Sequence, residues 1–409
     1  MTMSTDGSPT LQSSYRSLAD PAEFGDFLSG GEALADRNAW AEATDYDHRV
    51  RKLDFERHFR ALVLLHTTDL TSARDLSDAA EENLLFQAVK SDFDISVAGF
   101  GDAMADRPIE PYWRMLGRVM EEVERLPHQR LRGIDAETWD RVTGLFGEID
   151  LFDTTSMELP PTLCEWAETE PDASRIEMHL KLSGLDGRFQ EAITTRPGGN
   201  GNAQFGDLLD LEEGAGRLYV FDAGYFDIDQ YHEITDTGSY FVTKLHGNIE
   251  PEEVCRRPVP EEYTDAGGRT DCGYAVLEDR YVRLTGRDMW YRVLKVKVST
   301  DKTIEILTNL LWLDAAQICR LYHHRWSIEI VFRWLKDRLQ LDHFISRDPR
   351  GIIRQIVAAL IVWGLLTIYN RGNTEFSPKE LWRELRRAMQ QAIFDFGRRC
   401  QKHGINPLD

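Results

Sequence analysis

The sequence predicts an α/β protein built on a mixed sheet, with a helical region before it. The chain has 409 residues, of which 42% are hydrophobic, so it can form sizeable cores. Residues 21–144 show helical periodicity in segments such as Phe55–His66. From Glu148 onwards, apolar and polar residues alternate at strand spacing, and turn residues separate the segments.

The strand-like segments begin with a meander of three strands, which is followed by a strand–helix–strand unit. The predicted meander consists of Glu148–Thr155, Arg175–Leu182 and Arg188–Thr195. The predicted strand–helix–strand unit consists of Arg217–Phe221, Asp227–Thr235 and Tyr240–Leu245. A meander supplies antiparallel neighbours and a helical crossover supplies parallel ones, so the order of elements indicates a mixed sheet.

A second strand-rich block follows before the chain becomes helical again. Asn248–Asp271 is rich in Pro, Glu and Gly and is typical of a loop, and three further strands are predicted after it: Tyr274–Leu284, Met289–Ser299 and Thr303–Thr308. An apolar helix, Ile352–Tyr369, and a basic helix, Lys379–Arg399, close the chain. The longest apolar run, Ile356–Ile368, is short for a bilayer, so we expect a buried helix and no membrane association.

These boundaries predict five regions. The expected order is a disordered tail (1–20), a helical domain (21–144), the first part of the α/β core (145–246), a β-rich insertion (247–310) and the second part of the core with basic C-terminal helices (311–409). Groups of helices of this size include helix–turn–helix DNA-binding domains, although most small helical domains do not bind DNA.

Charge and cysteine content narrow the cellular context. The net charge is −21, but residues 320–402 contain 16 Lys and Arg against 8 Asp and Glu, a local +8 that leaves −29 elsewhere. An acidic surface with one basic segment suits a salt-rich cytoplasm, where like charges are screened, so we predict a halophilic host. The five cysteines are scattered without metal-ligand spacing, and the polar N-terminus lacks a secretory signal. We therefore expect a cytoplasmic protein without structural zinc or disulfides.

One segment, residues 321–336, combines a predicted buried stripe with a row of charged groups. Tyr322, Arg325, Glu329 and Lys336 are separated by three, four and seven residues, which on one continuous helix places them within an arc of about 60°. The apolar residues fall on the adjoining sector: Ile328, Val331, Phe332, Leu335 and Leu339. A carboxylate among groups suited to phosphate indicates metal-assisted phosphodiester chemistry. The alternative is a surface helix with an Arg–Glu pair.

Three carboxylates are candidate metal ligands. Asp153 lies near the end of the first predicted strand, Asp222 follows the fourth, and Glu329 lies on the helix after the sheet. Three converging carboxylates suit Mg²⁺ or Mn²⁺, and two such ions about 4 Å apart can serve in-line phosphoryl transfer. Each aspartate alone could instead be a turn residue or a helix cap. Asp150 competes for the first position, but strand alternation places it on the opposite face from Asp153.

These motifs resemble DDE transposases of the insertion-sequence-four family. The family's Tyr-Arg-Glu-Lys signature fits Tyr322, Arg325, Glu329 and Lys336 without a gap. The first-Asp segment fits 153–155 (Asp-Thr-Thr), and the second fits 222–225 (Asp-Ala-Gly-Tyr) followed by the strand 240–244. Lys244 departs from the pattern, because Arg is commoner there. The tract 308–310 (Thr-Asn-Leu) before the helix also resembles the family.

The resemblance implies a fold and an activity. The α/β core would be RNase H-like, interrupted by the β-rich insertion, and the helical domain would bind terminal inverted repeats in double-stranded DNA. A homodimer would pair two element ends at the nucleoid. Water would be activated to nick each end, and the freed 3′-OH would then attack the opposite strand or the target DNA, in cut-and-paste transposition. Asp153, Asp222 and Glu329 would be catalytic and hold two Mg²⁺ or Mn²⁺ ions, while Tyr322, Arg325 and Lys336 would contact DNA.

Two pairs of residues and two other functions stay open at this point. Trp290 and Trp312 are candidates for stacking on a flipped base, although core aromatics are the simpler interpretation. For His323 and His324 we expect contact with solvent or DNA rather than metal. The alternative functions are a nuclease that cuts without joining and a transposon-derived DNA-binding protein without catalysis.

Overall fold

The fold is known from a computed structural model, which describes residues 37–47, 53–67, 70–82, 96–125, 144–159, 167–170, 173–195, 202–211 and 216–372. The predicted tail, the basic helix at 379–399 and the Gly-rich stretch 197–201 lie outside these residues. Ten helices are described: α1 Arg37–Ala43, α2 Phe55–Thr67, α3 Ala73–Glu82, α4 Val97–Asp106, α5 Glu110–Glu124, α6 Asn202–Leu208, α7 Ile228–Asp236, α8 Ala315–His324, α9 Trp326–Asp337 and α10 Pro349–Gly372.

Ten strands form one mixed sheet. They are β1 Glu148–Leu159, β2 Glu168–Glu170, β3 Ala173–Ser183, β4 Phe189–Thr195, β5 Arg217–Phe221, β6 Tyr240–Lys244, β7 Glu252–Arg257, β8 Ala275–Arg283, β9 Trp290–Ser299 and β10 Lys302–Thr308. The order is β2-β3-β1-β5-β6-β10-β9-β8-β7, and β4 also pairs with β3. The predicted mixed α/β architecture is therefore confirmed.

The centre of the sheet follows the predicted order of meander and crossover. β1 pairs antiparallel with β3, and β3 pairs antiparallel with β4. β5 pairs parallel with β1, and β6 pairs parallel with β5. Helix α7 connects β5 to β6. Asp227 begins α7 because its side chain accepts hydrogen bonds from the backbone N–H groups of Asp229 and Gln230. The parallel strands therefore all end at the same edge of the sheet, where carboxylates following them come together.

The strand-rich block at 247–310 extends this sheet. β10 pairs antiparallel with β6, and β9, β8 and β7 follow in order. One prediction was wrong here, because the stretch expected to be a loop contains β7. Its sequence, Glu-Glu-Val-Cys-Arg-Arg, has no apolar alternation, and its side chains are mostly exposed. Pairing with β8 stabilises this edge strand, and the local sequence gives no signal for it.

Helix α10 connects the N-terminal helices to the sheet. It packs against α2, α4 and α5, although more than 200 residues separate it from them in the chain. Arg354 is fully buried and donates to the carbonyl groups at the end of α4, including that of Ala103 at 2.8 Å. A cation is favourable there, because the C-terminal carbonyls of a helix concentrate negative charge. The helical region and the sheet consequently share one hydrophobic core.

The predicted burial of this apolar helix is also observed. By length and composition, the segment Pro349–Ile368 is the one helix in the described ranges that could cross a membrane, and 83% of its most apolar window is buried in the protein. His66 on α2 bridges the same region, with ring nitrogens 2.5 Å from Leu339 O and 3.0 Å from Gln355 O. Burial lowers the pKa of His66 to about 4, so the ring stays neutral at pH 7.

Candidate active site

Two aspartates lie side by side at the edge where the parallel strands end. The parallel pairing of β1 with β5 ends at Leu151 and Val220. Asp153 and Asp222 each lie two residues beyond that pair, so the register brings them together. Sequence analysis placed Asp153 near the end of its strand. The structure differs, because β1 continues to Leu159 by pairing with β3 alone.

The Glu-containing segment is not one continuous helix. Asp314 forms a capping box with Gln317, which fixes the start of α8. The helix then breaks at Arg325, and α9 begins at Trp326. At the break the backbone makes tighter bonds, with the N–H of Arg325 donating to Tyr322 O at 3.1 Å and the N–H of Ile328 donating to Arg325 O at 3.1 Å. The single arc predicted for the four side chains is therefore wrong.

The predicted apolar stripe is nevertheless buried and packs α9 against the rest of the protein. α8 packs on β5 and β6, and α9 packs on β1. All five predicted stripe residues are buried: Ile328, Val331, Phe332, Leu335 and Leu339. This packing places Glu329 over the end of β1, because Glu329 follows directly after Ile328 on the first turn of α9.

Arg325 lies at the centre of the carboxylate cluster. Its Nη1 donates to Asp153 Oδ2 at 2.7 Å, and its Nη2 donates to Glu329 Oε1 at 2.6 Å. Its guanidinium carbon lies 5.7 Å from the centre of the Tyr322 ring. The Tyr322 hydroxyl in turn donates to Asp222 Oδ1 at 3.4 Å. The structure thus brings together five of the six predicted site residues around one guanidinium.

Lys336 occupies a different place. Its Nζ donates to the backbone carbonyl of Ser156 at 2.6 Å, three residues beyond Asp153 on β1. Partial burial lowers the pKa of Lys336, which acidic neighbours including Asp342 oppose. Lys336 therefore lies along the continuation of β1, next to the cluster but without a direct bond to it among the described residues.

The carboxylates of the cluster crowd one another. Burial raises the pKa of Asp153 to about 6, against the lowering effect of Arg325, and the nearby charges of Asp222 and Glu329 raise it further. Burial alone would lower the pKa of Arg325, but the attraction of Asp153 and its neighbours raises it, so Arg325 stays charged. Three carboxylates and one guanidinium leave an excess of negative charge in a partly buried site.

This cluster matches a divalent cation in chemistry but not in arrangement. Three carboxylates are the hard oxygen donors that Mg²⁺ and Mn²⁺ prefer. Across the ranges that the structure describes, however, no three His, Cys, Asp or Glu side chains are grouped so as to hold a metal ion. One oxygen each of Asp153 and Glu329 accepts from the guanidinium of Arg325, and one oxygen of Asp222 accepts from the Tyr322 hydroxyl.

A supporting network that the sequence analysis missed holds the middle of β1, next to Asp153. Thr154 Oγ1 lies 2.9 Å from His179 Nδ1 and 2.5 Å from the hydroxyl of Tyr225. Tyr225 belongs to the Asp-Ala-Gly-Tyr motif and is buried, so the motif itself was the available signal. His179 had none, because only the pairing of β1 with β3 brings it opposite Thr154.

Tyr274, just before β8, was also missed, and it lies next to the candidate site. Its hydroxyl lies 3.2 Å from His323 Nδ1, and its charge interactions include Arg325 and Glu329. Burial raises the pKa of Tyr274 to about 12. Forty-nine residues separate Tyr274 from His323, so no local spacing could predict this contact.

The expectations for the remaining histidine and tryptophans were wrong. His324 does not contact solvent or DNA: it is buried, with Nε2 2.9 Å from Gly184 O and Nδ1 3.0 Å from Ser327 Oγ. Burial lowers the pKa of His324 to about 4. Trp290 and Trp312 are not core aromatics, because they are 44% and 53% exposed.

Comparison with known proteins assigns the class. The profile of the family described as "Transposase DDE domain" matches residues 146–365. The transposase-named protein y4zB of Sinorhizobium fredii is 27% identical over 282 residues, covering 68% of this chain and 72% of that protein. The transposase-named protein of insertion sequence element IS5377 from Geobacillus stearothermophilus is 23% identical over 215 residues, covering 52% of this chain and 54% of that protein.

A further relative and one solved structure are similar over other extents. The transposase for insertion sequence element IS231F of Bacillus thuringiensis subsp. israelensis is 23% identical, covering 58% of each chain. The chain thus matches little more than half the length of the IS5377 and IS231F proteins. The piggyBac transposase synaptic complex with hairpin DNA covers 92% of this chain and 81% of its own, at 11% identity and a TM-score of 0.44. That similarity is too weak to add to the assignment.

The class defined by the site and by these matches is the DNA transposases, enzymes that cleave DNA and transfer its strands. The family match spans the first strand, both strand-end aspartates and the helices with Tyr322, Glu329 and Lys336. The chain belongs to the transposase DDE domain family.

Proposed function

We propose that this chain excises and inserts an insertion sequence by cut-and-paste. The substrate would be double-stranded DNA, cleaved at the terminal inverted repeats and joined to target DNA. The observation that supports this proposal best is the register of β1 and β5, which sets Asp153 beside Asp222 beneath Glu329. Water and a 3′-OH are poor nucleophiles, so a site that concentrates negative oxygen ligands for a cation suits both steps.

Asp153, Asp222 and Glu329 are the proposed catalytic and metal-holding residues. DDE transposases in general use divalent metal ions, and we propose Mg²⁺ or Mn²⁺, as two ions. When bound, such ions polarise the phosphate and activate the attacking oxygen. The three carboxylates would supply the oxygen donors. The Thr154–His179–Tyr225 network would keep the part of β1 next to Asp153 in position.

Tyr322, Arg325 and Lys336 are the proposed contacts to DNA. Arg325 can grip a phosphate with two parallel hydrogen bonds, while Lys336 acts as a single point of charge. Lys336 lies along β1 beyond Asp153. Arg325 and Lys336 would therefore contact different phosphates of one DNA strand. Tyr322 would act mainly by stacking beneath Arg325.

The larger organisation is also a proposal. The strand order β4-β3-β1-β5-β6, with β5 and β6 parallel to β1, supports an RNase H-like core in 145–246 and 311–409. Residues 247–310 would be an insertion in that core, and the helical domain 21–144 would bind the terminal repeats. Two chains would pair two ends as a homodimer, in the cytoplasm at the nucleoid and without a membrane.

Incubating the purified chain with duplexes from the DNA that flanks its gene, in Mg²⁺, tests the proposal. We expect cleaved and joined products. Cleavage without joining would indicate a nuclease, and a mobility shift without cleavage would indicate a DNA-binding protein. Glu329→Gln should abolish both products, whereas Glu158→Gln, whose side chain is 86% exposed at the far end of β1, should not. Normal cleavage by Glu329→Gln would refute the site assignment.

The acidic surface supports a separate proposal about the host. With a net charge of −21, repulsion between surface carboxylates destabilises the folded chain in dilute buffer, and salt screens that repulsion. We propose a salt-rich cytoplasm. Thermal melting should shift upwards from dilute to molar KCl, and a melting temperature that is the same in both would contradict a halophilic host.

A further inference from the structure

We propose that Arg325 fills the cation position of the active site in the DNA-free protein, so that Arg325 and a divalent ion exclude each other until DNA draws Arg325 away. The inference rests on the proposed function, because it assigns the same carboxylates to the metal. It adds a coupling: DNA and metal would each strengthen the binding of the other.

Two of the three proposed metal ligands, Asp153 and Glu329, already use oxygens in hydrogen bonds. Asp153 Oδ1 accepts from the backbone N–H of Thr154 at 2.8 Å, and Asp153 Oδ2 accepts from Arg325. Glu329 Oε1 accepts from the same guanidinium. A metal ion at these oxygens would lie against Arg325 in a site where side-chain exposure is only 12% for Arg325 and 16% for Asp153. Repulsion between two cations is large in such poorly solvated surroundings.

Arg325 is placed where it can move. It is the junction between α8 and α9, where tight turns replace the regular helical bonds. Such interruptions often mark hinges. Buried residues anchor the chain on each side, with Leu321 on α8 and Ile328 on α9. The long side chain of Arg325 can therefore leave the cluster by rotating about its own bonds, without unpacking either helix.

The guanidinium also keeps unused bonding capacity. Its Nε is buried and forms no hydrogen bond within the described ranges. A DNA phosphate offers oxygens to Nε and an Nη group together, which the separate carboxylates of Asp153 and Glu329 do not. Moving to a phosphate would satisfy Nε and free the two carboxylates. Moving Arg325 from the carboxylates to a DNA phosphate would therefore favour both the guanidinium and the carboxylates.

Coupling of this kind is reciprocal. If DNA raises the affinity for metal by some factor, metal raises the affinity for DNA by the same factor, typically about 5- to 150-fold. A chain that binds metal well only on DNA holds its nuclease site inactive away from its substrate. Arg325 would thus be both a phosphate contact and a block on premature metal binding.

The test uses Mn²⁺ as the probe and measures free Mn²⁺ by electron paramagnetic resonance with the full DNA-free chain. Mn²⁺ bound elsewhere on the acidic surface is subtracted by using Glu329→Gln, which removes one proposed ligand. Arg325→Gln should bind Mn²⁺ at the site about tenfold or more tightly than the wild type. Arg333→Gln removes the same charge from an exposed position on the same helix, α9, and should leave the affinity unchanged.

The same measurement with duplex DNA completes the cycle. DNA should increase the Mn²⁺ affinity of the wild type and of Arg333→Gln. It should not increase the affinity of Arg325→Gln any further. Glu329→Gln with DNA gives the background. Thermal melting checks the fold of each variant. If Arg325→Gln is unfolded, Arg325→Lys replaces it, with an expected intermediate affinity because Lys lacks the two-pronged grip.

Two failures can be told apart. Equal DNA-free affinities of the wild type and the Arg325 variant, or weaker binding by the variant, would overturn the exclusion. If Glu329→Gln abolishes DNA cleavage at the same time, the proposed function stands and only the inference fails. If Glu329→Gln cleaves normally, the site itself is wrongly assigned.

Discussion

Two aspartates three residues apart on opposite faces of β1, Asp150 fully buried and Asp153 partly buried, have nearly the same immediate chemistry. Asp150 Oδ2 accepts from Arg217 at 3.0 Å, and Asp153 Oδ2 accepts from Arg325 at 2.7 Å. Burial raises the pKa of each carboxyl to about 6, and the adjacent guanidinium opposes the rise in both cases. An Asp–Arg pair with a raised carboxyl pKa is thus present twice on one strand.

The surroundings separate the two. Near Asp150, the cations Arg217 and Lys181 lower its pKa, and Asp210 accepts from Lys181 at 2.6 Å, so charges of both signs are interleaved. Near Asp153, the further charges are the carboxylates Asp222 and Glu329.

The arginines differ as well. Arg217 begins strand β5 and lies opposite Glu148 in the parallel ladder, whereas Arg325 occupies a break between helices. A raised aspartate pKa is therefore present with and without an excess of neighbouring carboxylates, and only the excess around Asp153 favours a cation-binding role.

The largest expected difference between the two aspartates is in DNA cleavage. Asp153→Asn should lower the cleavage rate by about a thousandfold or more, because a metal ligand contributes several kcal/mol to the transition state. Asp150→Asn should keep the rate within about tenfold, because its side chain faces away from the site. Single-turnover cleavage of a labelled duplex measures both rates, and a folded Asp150→Asn chain as inactive as Asp153→Asn would break the comparison.

The next difference is in the free energy of unfolding. Asp150 has a folded pKa of about 6 against 3.8 in the unfolded chain, so it contributes stability that is fully present below the unfolded pKa. That contribution is lost as pH rises through the folded pKa. The Asn side chain of Asp150→Asn does not titrate, so the variant does not lose this stability. Its free energy of unfolding relative to the wild type should therefore rise by up to about 3 kcal/mol as the pH rises from about 4 to 7.

Urea unfolding at several pH values gives this quantity. Asp301→Asn, which removes a carboxylate from an exposed position in the turn between β9 and β10, is the matched control. A stability difference for Asp150→Asn that does not change with pH would mean that the pKa of Asp150 is not raised, and the likeness of the two aspartates would be lost.

A third prediction concerns the pH dependence of metal binding. Because Asp153 must be ionised to bind a cation, Mn²⁺ affinity should hold above the pKa of about 6 and fall by about tenfold per pH unit below it. Calorimetric titration of the DNA-free chain, in which Arg325 lies beside Asp153, with Mn²⁺ at several pH values provides the measurement. The variant Asp150→Asn should show the same pH dependence of Mn²⁺ affinity as the wild type. If Asp150→Asn changes this pH dependence, Asp150 rather than Asp153 would be the metal ligand.

The smallest effect is expected at Lys336, which lies beyond Asp153 on the same strand. Lys336→Ala should weaken DNA binding by about fivefold and reduce the slope of log affinity against log salt by about one, as expected for one phosphate contact. Lys302→Ala, at the exposed start of β10, is the control and should change neither quantity. Fluorescence anisotropy with a labelled duplex measures both, and an unchanged slope for Lys336→Ala would remove it from the DNA surface.

Local pattern was enough for much of this protein. The short apolar run Arg217–Phe221 predicted β5 to the residue, and helical spacing predicted the buried stripe of α9. The order of meander and crossover predicted a mixed sheet, and strand alternation alone placed Asp150 and Asp153 on opposite faces. These features depend on neighbours along the chain, whose spacing a sequence states directly.

Tertiary structure decided the rest. Only strand pairing made β7 a strand and brought His179 beside Thr154, and only the folded chain brings Tyr274 beside His323. Packing on two different parts of the sheet broke the helix at Arg325 and put that guanidinium among the carboxylates, where spacing alone predicted a regular row. Periodicity fixes which face a residue occupies. Which charges it meets there depends on contacts between residues far apart in the chain, and those contacts exist only in the folded protein.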